Sequence, residues 1–148
     1  MNVLCQNKKS GFKYSFIKKI EAGLVLAGWE VKSLKDGNGQ MSESYVSIKK
    51  NEIYLCNAHI KSLNIKNSHV VQDPTCKRKL LLNRKEINML QGQVSQQGLT
   101  IVPIKLYSKK GLIKIEIALA KGKKLYDKRQ AQKNKDWKRQ KDRLSKTS

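Results

Sequence analysis

The sequence predicts a mainly β fold, a small closed or partly open barrel with one or two short helices, followed by a basic tail. Apolar and polar residues alternate over several short stretches between residues 14 and 120, which is the pattern of half-buried strands. Two of these stretches have the turn residues and spacing of hairpins. The alternation stops after Ala120, where charged residues take over, so the barrel is expected to end there.

The N-terminal half contains two predicted strands, a helix and a hairpin. The strands are Tyr14–Ile20 and Gly23–Gly28. The stretch GWEVKSLKDG then predicts a short helix that ends at Gly37. Residues Tyr45–Cys56 predict a hairpin with a polar turn at Lys50–Asn51. In this hairpin the apolar residues Val46 and Ile48 face Ile53 and Leu55.

The stretch NRKEINMLQG carries the clearer helix signal. Asn83 can accept a hydrogen bond from the backbone N–H of Glu86, and the Glu86 side chain can reach back. This is a capping box with Asn in place of Ser or Thr, so the helix is predicted to start here. Gly92 marks its expected end. One face of the helix is apolar, with Ile87, Leu90 and Val94.

The clearest hairpin spans Leu99–Ala120 and turns at Ser108–Gly111. Apolar residues alternate along both arms: Val102, Ile104 and Leu106 in the first, and Ile113, Ile115, Ile117 and Leu119 in the second. Pro103 has no N–H to donate, so its arm is predicted to lie at a sheet edge or to contain a bulge there.

Positive charge is spread over the whole chain, whose net charge is +21. Residues 1–120 contribute +12 and residues 121–148 contribute +9. A chain this basic is expected to meet a polyanion, most commonly nucleic acid. No amphipathic basic helix with a bulky apolar face and no long apolar run is evident, so we expect no membrane partner. The N-terminus lacks an apolar signal-peptide core, which predicts a cytoplasmic location.

Few residues favour catalysis or a metal site. Cys5, Cys56 and Cys76 are far apart and odd in number, so we expect reduced, structurally incidental thiols. His59 and His69 lie in a loop-like stretch and do not form a zinc set with separated cysteines. The sequence has neither a Walker loop nor a GxGxxG motif. We therefore expect neither an enzyme nor a cofactor.

The tail, residues 121–148, has twelve Lys or Arg and three Asp, with Tyr126 and Trp137 among them. Lys and Arg bind phosphates, and aromatic side chains within basic stretches can stack on exposed bases. A solvated, solubilising tail is the alternative, but such a tail would gain nothing from an indole. The composition predicts disorder when the protein is free and permits a helix on an anionic partner.

Five stretches, in order along the chain, carry a family resemblance: NKKSGFKYSFIKKIEAGLVLAGWEVKSLKDG, SYVSIKKNEIYL, DPTCKRKLLLNRKEI, KGKKLYDKR and the rest of the tail. From about Asn7 to the end, they resemble the SsrA-binding protein family, also called small protein B. The resemblance implies an antiparallel OB-like β-barrel with flanking short helices. It implies residues 1–120 as the RNA-binding barrel and residues 121–148 as the tail.

The resemblance also implies an adaptor of trans-translation rather than an enzyme. In this family the protein binds the tRNA-like domain of transfer-messenger RNA and delivers it to ribosomes stalled without a codon in the A site. The expected partners are transfer-messenger RNA, the decoding centre and rRNA of the ribosome, and elongation factor Tu indirectly through the charged RNA. We expect a monomer. A structural ribosomal protein with an rRNA-binding extension is the alternative, since it shares the charge and the tail.

The resemblance assigns two sets of residues. The set that binds transfer-messenger RNA is Glu21, Leu81, Asn83, Gly122, Lys123 and Lys124. The set expected in the decoding centre and mRNA channel is Tyr126, Asp127, Lys128, Arg129, Lys133, Lys135 and Trp137. Two positions depart from the family pattern, Cys76 where an Arg is common and Asn38 where a Lys is frequent, and each change is expected to affect at most one phosphate contact.

Three residues of the first set leave alternatives open. Glu21 repels phosphate, so it either accepts hydrogen bonds from a base edge or ribose hydroxyl, or orients a basic neighbour. A simple salt bridge with Lys18 or Lys19 is the other interpretation. Asn83 can serve as helix cap, RNA contact or both. Leu81 is as well suited to the core as to a contact.

Overall fold

The computed structural model describes residues 2–63 and 71–122. Within these ranges the chain forms nine strands and three helices. The strands are β1 Asn2–Gln6, β2 Tyr14–Leu24, β3 Gly39–Gln40, β4 Tyr45–Lys49, β5 Glu52–Cys56, β6 His59–Ile60, β7 Arg78–Leu81, β8 Thr100–Lys109 and β9 Leu112–Gly122. The helices are α1 Ser10–Lys13, α2 Gly28–Lys35 and α3 Arg84–Gln97. The prediction of a mainly β fold is confirmed.

Seven strands form one antiparallel sheet in the order β1-β8-β9-β2-β7-β5-β4. Strand β4 at one edge packs against β8 near the other edge, which shows that the sheet curls. Strands β3 and β6 pair separately. The curled sheet encloses the main core, as a small barrel does. Its largest fully buried apolar residues include Leu34, Ile53, Leu55, Leu80, Leu90, Leu106, Ile115 and Ile117.

Both predicted hairpins are present, with two-residue turns. In the β4–β5 hairpin, Lys50 and Asn51 have φ angles of 51° and 62°. In the β8–β9 hairpin, Lys110 and Gly111 have φ angles of 51° and 79°. Two successive positive φ angles are the pattern of type I′ turns, whose twist matches that of the flanking strands. The register pairs Val46 with Leu55 and Ile48 with Ile53, as predicted.

Strand β8 accommodates Pro103 through a bulge. The strand pairs with β9 at Pro103, whereas its pairing with β1 spans only Lys105–Ser108, so among the described strands Pro103 has a paired neighbour on one side only. The pairing with β9 shifts between Pro103 and Lys105. Because the bulge reverses the alternation, Ile101 and Leu106 both face the main core. A second, smaller cluster lies on the opposite face: Val102, Ile104, Ala118 and Ala120. The prediction that one regular alternation runs from Val102 to Leu106 is therefore wrong.

Strand β2 is continuous where the sequence predicted two strands. It runs from Tyr14 to Leu24, and Gly28 begins α2 instead of ending a strand. Gly23 does not interrupt β2, because it pairs with β9 on one side and β7 on the other. Helix α2 ends as predicted before Gly37, whose φ is 83°. Strands β1, β3, β6 and β7 and helix α1 were not predicted, since segments of two to five residues carry too little periodicity.

Helix α3 starts with the predicted capping box. The Asn83 Oδ1 accepts a hydrogen bond of 2.8 Å from the Glu86 N–H, and the Glu86 Oε1 accepts one of 3.4 Å from the Asn83 N–H. The prediction that Gly92 ends the helix is wrong. The helix continues to Gln97 and ends at Gly98, which has a φ of 66°. A glycine inside a helix costs about 1 kcal/mol, and packing of the flanking apolar residues on the core offsets it.

Candidate nucleic-acid interface

Glu21 lies on the outward face of β2 at the centre of a charged cluster. Its carboxylate accepts a hydrogen bond from the Tyr107 hydroxyl. The same carboxylate lies 3.5 Å from the Nζ of Lys109 and 3.5 Å from the Nζ of Lys114. These partners come from β8 and β9, the two arms of the long hairpin. We call these four residues the Glu21 cluster. The cluster has a net charge of +1, and the nearby Glu116 and Lys105 leave that net charge unchanged, which favours an anion although the centre is a carboxylate.

The protonation states in the Glu21 cluster are fixed by its own contacts. The hydrogen bond from Tyr107 is the largest effect that lowers the pKa of Glu21, and the charges of the two lysines lower it further. Tyr107 is only 2% exposed, and its burial is the main effect that raises the pKa of its hydroxyl. The carboxylate is thus ionised and the phenol neutral at pH 7, which is the combination that lets Tyr107 donate.

An open groove of about 300 Å³ lies beside the Glu21 cluster. Its lining residues are Gly23, Leu24, Leu81, Leu112, Ile113 and Lys114. We call it the Leu81 groove. Leu81 is 54% exposed and Leu112 is 63% exposed, so Leu81 belongs to the surface and not to the core. An apolar groove with a lysine at its border suits the face of an unstacked base and its phosphate.

Gly23 forms the floor of the Leu81 groove. It pairs with Leu81 across β2–β7 and with Lys114 across β2–β9. A Cβ atom at this position would lie 3.2 Å from the Cβ of Leu81, closer than ordinary contact. The absence of a side chain at Gly23 therefore keeps the groove open between two exposed leucines.

Asn83 is exposed and lies two residues beyond Leu81, at the start of α3. The capping bonds use its Oδ1 and its backbone N–H. The cap therefore does not use the Nδ2 group, which can still donate a hydrogen bond to a ligand. The two roles that the sequence left open for Asn83 are compatible in this geometry.

The tail residues of the predicted sites lie outside the described residues, except for Gly122. Gly122 is the last residue of β9 and pairs with Tyr14, so the strand continues two residues beyond Ala120. The others are Lys123, Lys124, Tyr126, Asp127, Lys128, Arg129, Lys133, Lys135 and Trp137. His69 also lies outside the described residues, whereas His59 is exposed on β6.

Sequence reasoning missed four residues of this surface: Tyr107, Lys109, Leu112 and Lys114. It offered Lys18 or Lys19 as partners of Glu21, but Glu21 pairs with lysines from the long hairpin. No local signal marked Tyr107 as a neighbour of Glu21. Lys109 lies in the predicted turn and Lys114 three residues after it. Only the pairing of β9 with both β2 and β8 shows that the two lysines reach the same face as Glu21.

The two departures from the family pattern lie away from the Glu21 cluster. Cys76 is half-buried, and its Sγ lies 3.8 Å from a carboxylate oxygen of Glu30. Burial is the main effect that raises the pKa of this thiol. Cys76 thus faces a buried acid, while Asn38 is exposed. Cys5, Cys56 and Cys76 are not paired in disulfides in the described part of the chain.

The described part of the chain contains no group of three or more His, Cys, Asp or Glu residues that could hold a metal ion. In that same part, no helix combines the length and the apolar character that crossing a membrane requires.

Comparisons with known proteins agree with the resemblance seen in the sequence. A family profile described as SmpB protein matches residues 4–147. The SsrA-binding protein of Ruthia magnifica subsp. Calyptogena magnifica is 51% identical over 146 residues, which cover 99% of this chain and 88% of that protein. The SsrA-binding protein of Chromohalobacter salexigens is 50% identical over 143 residues, which cover 97% of this chain and 91% of that protein.

A solved structure shows the same fold. It is described as "tmRNA-SmpB: a journey to the center of the bacterial ribosome". Its matching chain is 39% identical to this one, with a TM-score of 0.65, and the match covers 85% of this chain and 92% of that one. The family profile spans nearly the whole sequence, and the relatives share about half of their residues with it over almost their full length. This chain belongs to the SmpB protein family.

Proposed function

We propose that this protein is the RNA-binding adaptor of trans-translation. It binds the tRNA-like domain of transfer-messenger RNA and delivers it to ribosomes stalled without a codon in the A site. The names of the relatives, SsrA-binding proteins, and the tmRNA-SmpB structure on the bacterial ribosome support this proposal. The observation that carries it in this chain is that the Glu21 cluster and the Leu81 groove adjoin through Lys114, with the exposed Asn83 two residues beyond Leu81.

The barrel surface offers the three kinds of contact that a folded RNA needs. Lys109 and Lys114 supply ammonium groups for phosphates. Leu81 supplies exposed apolar area for the face of a base, and the Nδ2 group of Asn83 can donate to a base edge or ribose. This combination supports recognition of RNA shape and exposed bases rather than of charge alone.

The tail, in this proposal, contacts the ribosome. Residues 123–148 carry eleven Lys or Arg and three Asp, together with Tyr126 and Trp137. We propose that these residues bind rRNA in the empty decoding centre and mRNA channel, with Gly122 as the junction and Lys123 and Lys124 next to the RNA bound by the barrel. Elongation factor Tu is an indirect partner through the charged RNA. The protein is an adaptor without a catalytic step, a monomer, and cytoplasmic like its ribosomal target.

A structural ribosomal protein is the second candidate, because it would share the charge and the tail. The two differ in occupancy. A structural component is present at one copy on every ribosome, whereas the adaptor is substoichiometric and enriched on stalled ribosomes. Sedimentation of a cell extract, followed by quantification of the protein in each fraction, separates them.

The proposal is tested by gel-shift titration of the tRNA-like domain with the full chain and with residues 1–124, which keep Lys123 and Lys124. The truncation keeps all of β9, and its circular dichroism spectrum and melting curve verify that it folds. Bulk tRNA is the competitor, at two salt concentrations. We expect similar, competitor-resistant affinities for both proteins. Binding that is competitor-sensitive and vanishes without the tail would mean that charge alone acts, which favours the ribosomal-protein candidate.

A further inference from the structure

We propose that Tyr107 and Glu21 are positioning residues, which hold Lys109 and Lys114 in place as a two-lysine contact for phosphates of the bound RNA. This inference rests on the proposed function, and it assigns to Glu21 an indirect role. The carboxylate does not read the RNA itself. It orders the two cations that do.

The neighbours of Glu21 set the direction of its side chain. Its register partner across β2–β9 is Glu116, and two like charges directly opposite each other repel. The carboxylate of Glu21 is directed instead toward β8, where the buried Tyr107 hydroxyl donates to its Oε2. Tyr107 is itself paired with Lys114 across β8–β9. The phenol is therefore an anchor, fixed by the hairpin, that sets the direction of the Glu21 side chain.

Glu21 in turn contacts both lysines of the cluster. Lys109 lies 3.5 Å from the Glu21 Oε2, and Lys114 lies 3.5 Å from the Oε1. Both oxygens of the carboxylate thus contact donors of this chain, while the Glu21 side chain keeps 39% of its surface exposed. The side chains of Lys109 and Lys114 keep 47% and 30% of their surface exposed. Their ammonium groups are held and still accessible to phosphate oxygens.

Holding the two lysines in place before RNA binds lowers the entropic cost of binding. A free lysine has several rotatable bonds, and fixing it on binding costs conformational entropy. Two lysines ordered before the RNA arrives avoid part of that cost. Ion pairs this exposed contribute little to folding stability. The loss of order in the two lysines is therefore expected to change RNA affinity more than the free energy of unfolding. Tyr107 is the residue on which that order depends, although it has almost no exposed surface to touch RNA.

The test is a double-mutant cycle in the full chain, with the tRNA-like domain of transfer-messenger RNA as the probe. Tyr107→Phe is measured in the natural background and in a Lys109→Met, Lys114→Met background. Tyr45→Phe is the matched control, because Tyr45 is an exposed tyrosine on β4. We expect Tyr107→Phe to weaken binding roughly threefold to tenfold, the cost of ordering one or two lysines. Tyr45→Phe is expected to have no effect.

In the background without the two lysines, we expect Tyr107→Phe to have no further effect. That background itself is expected to lower the salt slope of binding by about two. An unchanged affinity of Tyr107→Phe in the natural background, or an equal loss in both backgrounds, would overturn the inference. Melting curves verify that each variant is folded at the assay temperature.

Glu21→Gln in the same cycle covers the case in which Tyr107→Phe fails to fold. It is expected to weaken binding only when the lysines are present, and a loss that persists without them would mean that Glu21 contacts RNA directly. If the natural chain shows no competitor-resistant binding, the proposed function fails and this inference fails with it. If the natural chain binds and the cycle shows no coupling, the inference alone is wrong.

Discussion

Arg78 shows how a single buried charge organises the part of the barrel behind the candidate interface. Its guanidinium donates to the Glu30 carboxylate, to the carbonyl of Ala58 at 2.6 Å and to the carbonyl of Pro74 at 2.9 Å. Glu30 also accepts a hydrogen bond of 2.8 Å from the N–H of Ala27, which caps α2. One ion pair therefore joins β7 to the start of α2 and to two loops.

Arg78→Met is expected to destabilise the protein by about 3–5 kcal/mol, because it leaves the Glu30 charge buried and unpaired. Arg84→Met is the control, since the Arg84 side chain is 56% exposed in its pair with Glu52. The control is expected to cost less than about 1 kcal/mol. Urea unfolding of both variants measures the free energies of unfolding. Equal values for the two variants would contradict this account of the buried pair.

The elements of the fold differ in how far the sequence predicted them. The β4–β5 hairpin and the start of α3 were predicted to the residue, because their turn and cap depend on neighbours within four positions. The end of α3 was not, since packing of its second half on the core overrides Gly92. The sequence also did not predict which residues of β8 face the core after Pro103. A bulge at Pro103 reverses the inward and outward positions that follow, and its place depends on the pairing with β9.

The residues of the candidate site also divide into those that the sequence indicated and those that only the fold brings together. The family resemblance supplied Glu21, Leu81 and Asn83. Their surroundings required the fold, because Tyr107 and Glu21 are 86 residues apart in sequence and meet only through the sheet. Leu112 stood beside a predicted turn, and no local signal placed it next to Leu81 in one groove. Long-range strand order was the missing information in each case.

Replacement of two glycines by alanine is expected to change the stability of the protein in opposite directions. A Cβ atom on Gly39, in β3, would lie 2.5 Å from the Cδ2 of the fully buried Leu34 and 3.3 Å from the Sγ of Cys5. Gly39→Ala is therefore expected to cost about 1–3 kcal/mol through overpacking. Gly92→Ala, inside α3, meets no atom within 4 Å and is expected to stabilise by up to about 1 kcal/mol.

Thermal unfolding of the two alanine variants beside the natural chain measures both effects. A lower melting temperature for Gly39→Ala and a higher one for Gly92→Ala are expected. If Gly39→Ala melts like the natural chain, β3 has room to move away from α2, and the short distance between Gly39 and Leu34 does not limit the residue at position 39.

At the scale of the whole molecule, the chain divides its positive charge between two tasks. Residues 1–122 carry +13 of the net charge of +21, around a surface that also offers apolar and hydrogen-bonding contacts. Residues 123–148 carry the other +8. In the proposed function the first part selects the RNA and the second part tests the ribosome for the absence of a message.

Removal of residues 125–148, which keeps Lys123 and Lys124, is expected to preserve binding to transfer-messenger RNA and to abolish tagging of nascent chains on stalled ribosomes. A reconstituted translation reaction on a message without a stop codon, with the tag detected by immunoblot, measures this. A chain of full length in which Lys133 and Lys135 are both replaced by Gln serves as a milder variant, with reduced tagging expected. Tagging at the normal rate by the truncated protein would contradict the proposed division.

The pairing of Gly122 with Tyr14 has a consequence for how strongly the tail needs to bind. Because the last residue of β9 is paired within the sheet, the point on the barrel from which residues 123–148 start is fixed. In the proposed function, once the barrel is docked, the tail meets its target at an effective concentration on the order of millimolar, set by its tether and not by the protein in solution. An interaction too weak to detect with an isolated tail peptide would then suffice to distinguish an empty channel from an occupied one. Weak intrinsic affinity would also be an advantage, since the tail could withdraw when a message is present without first releasing a tight contact.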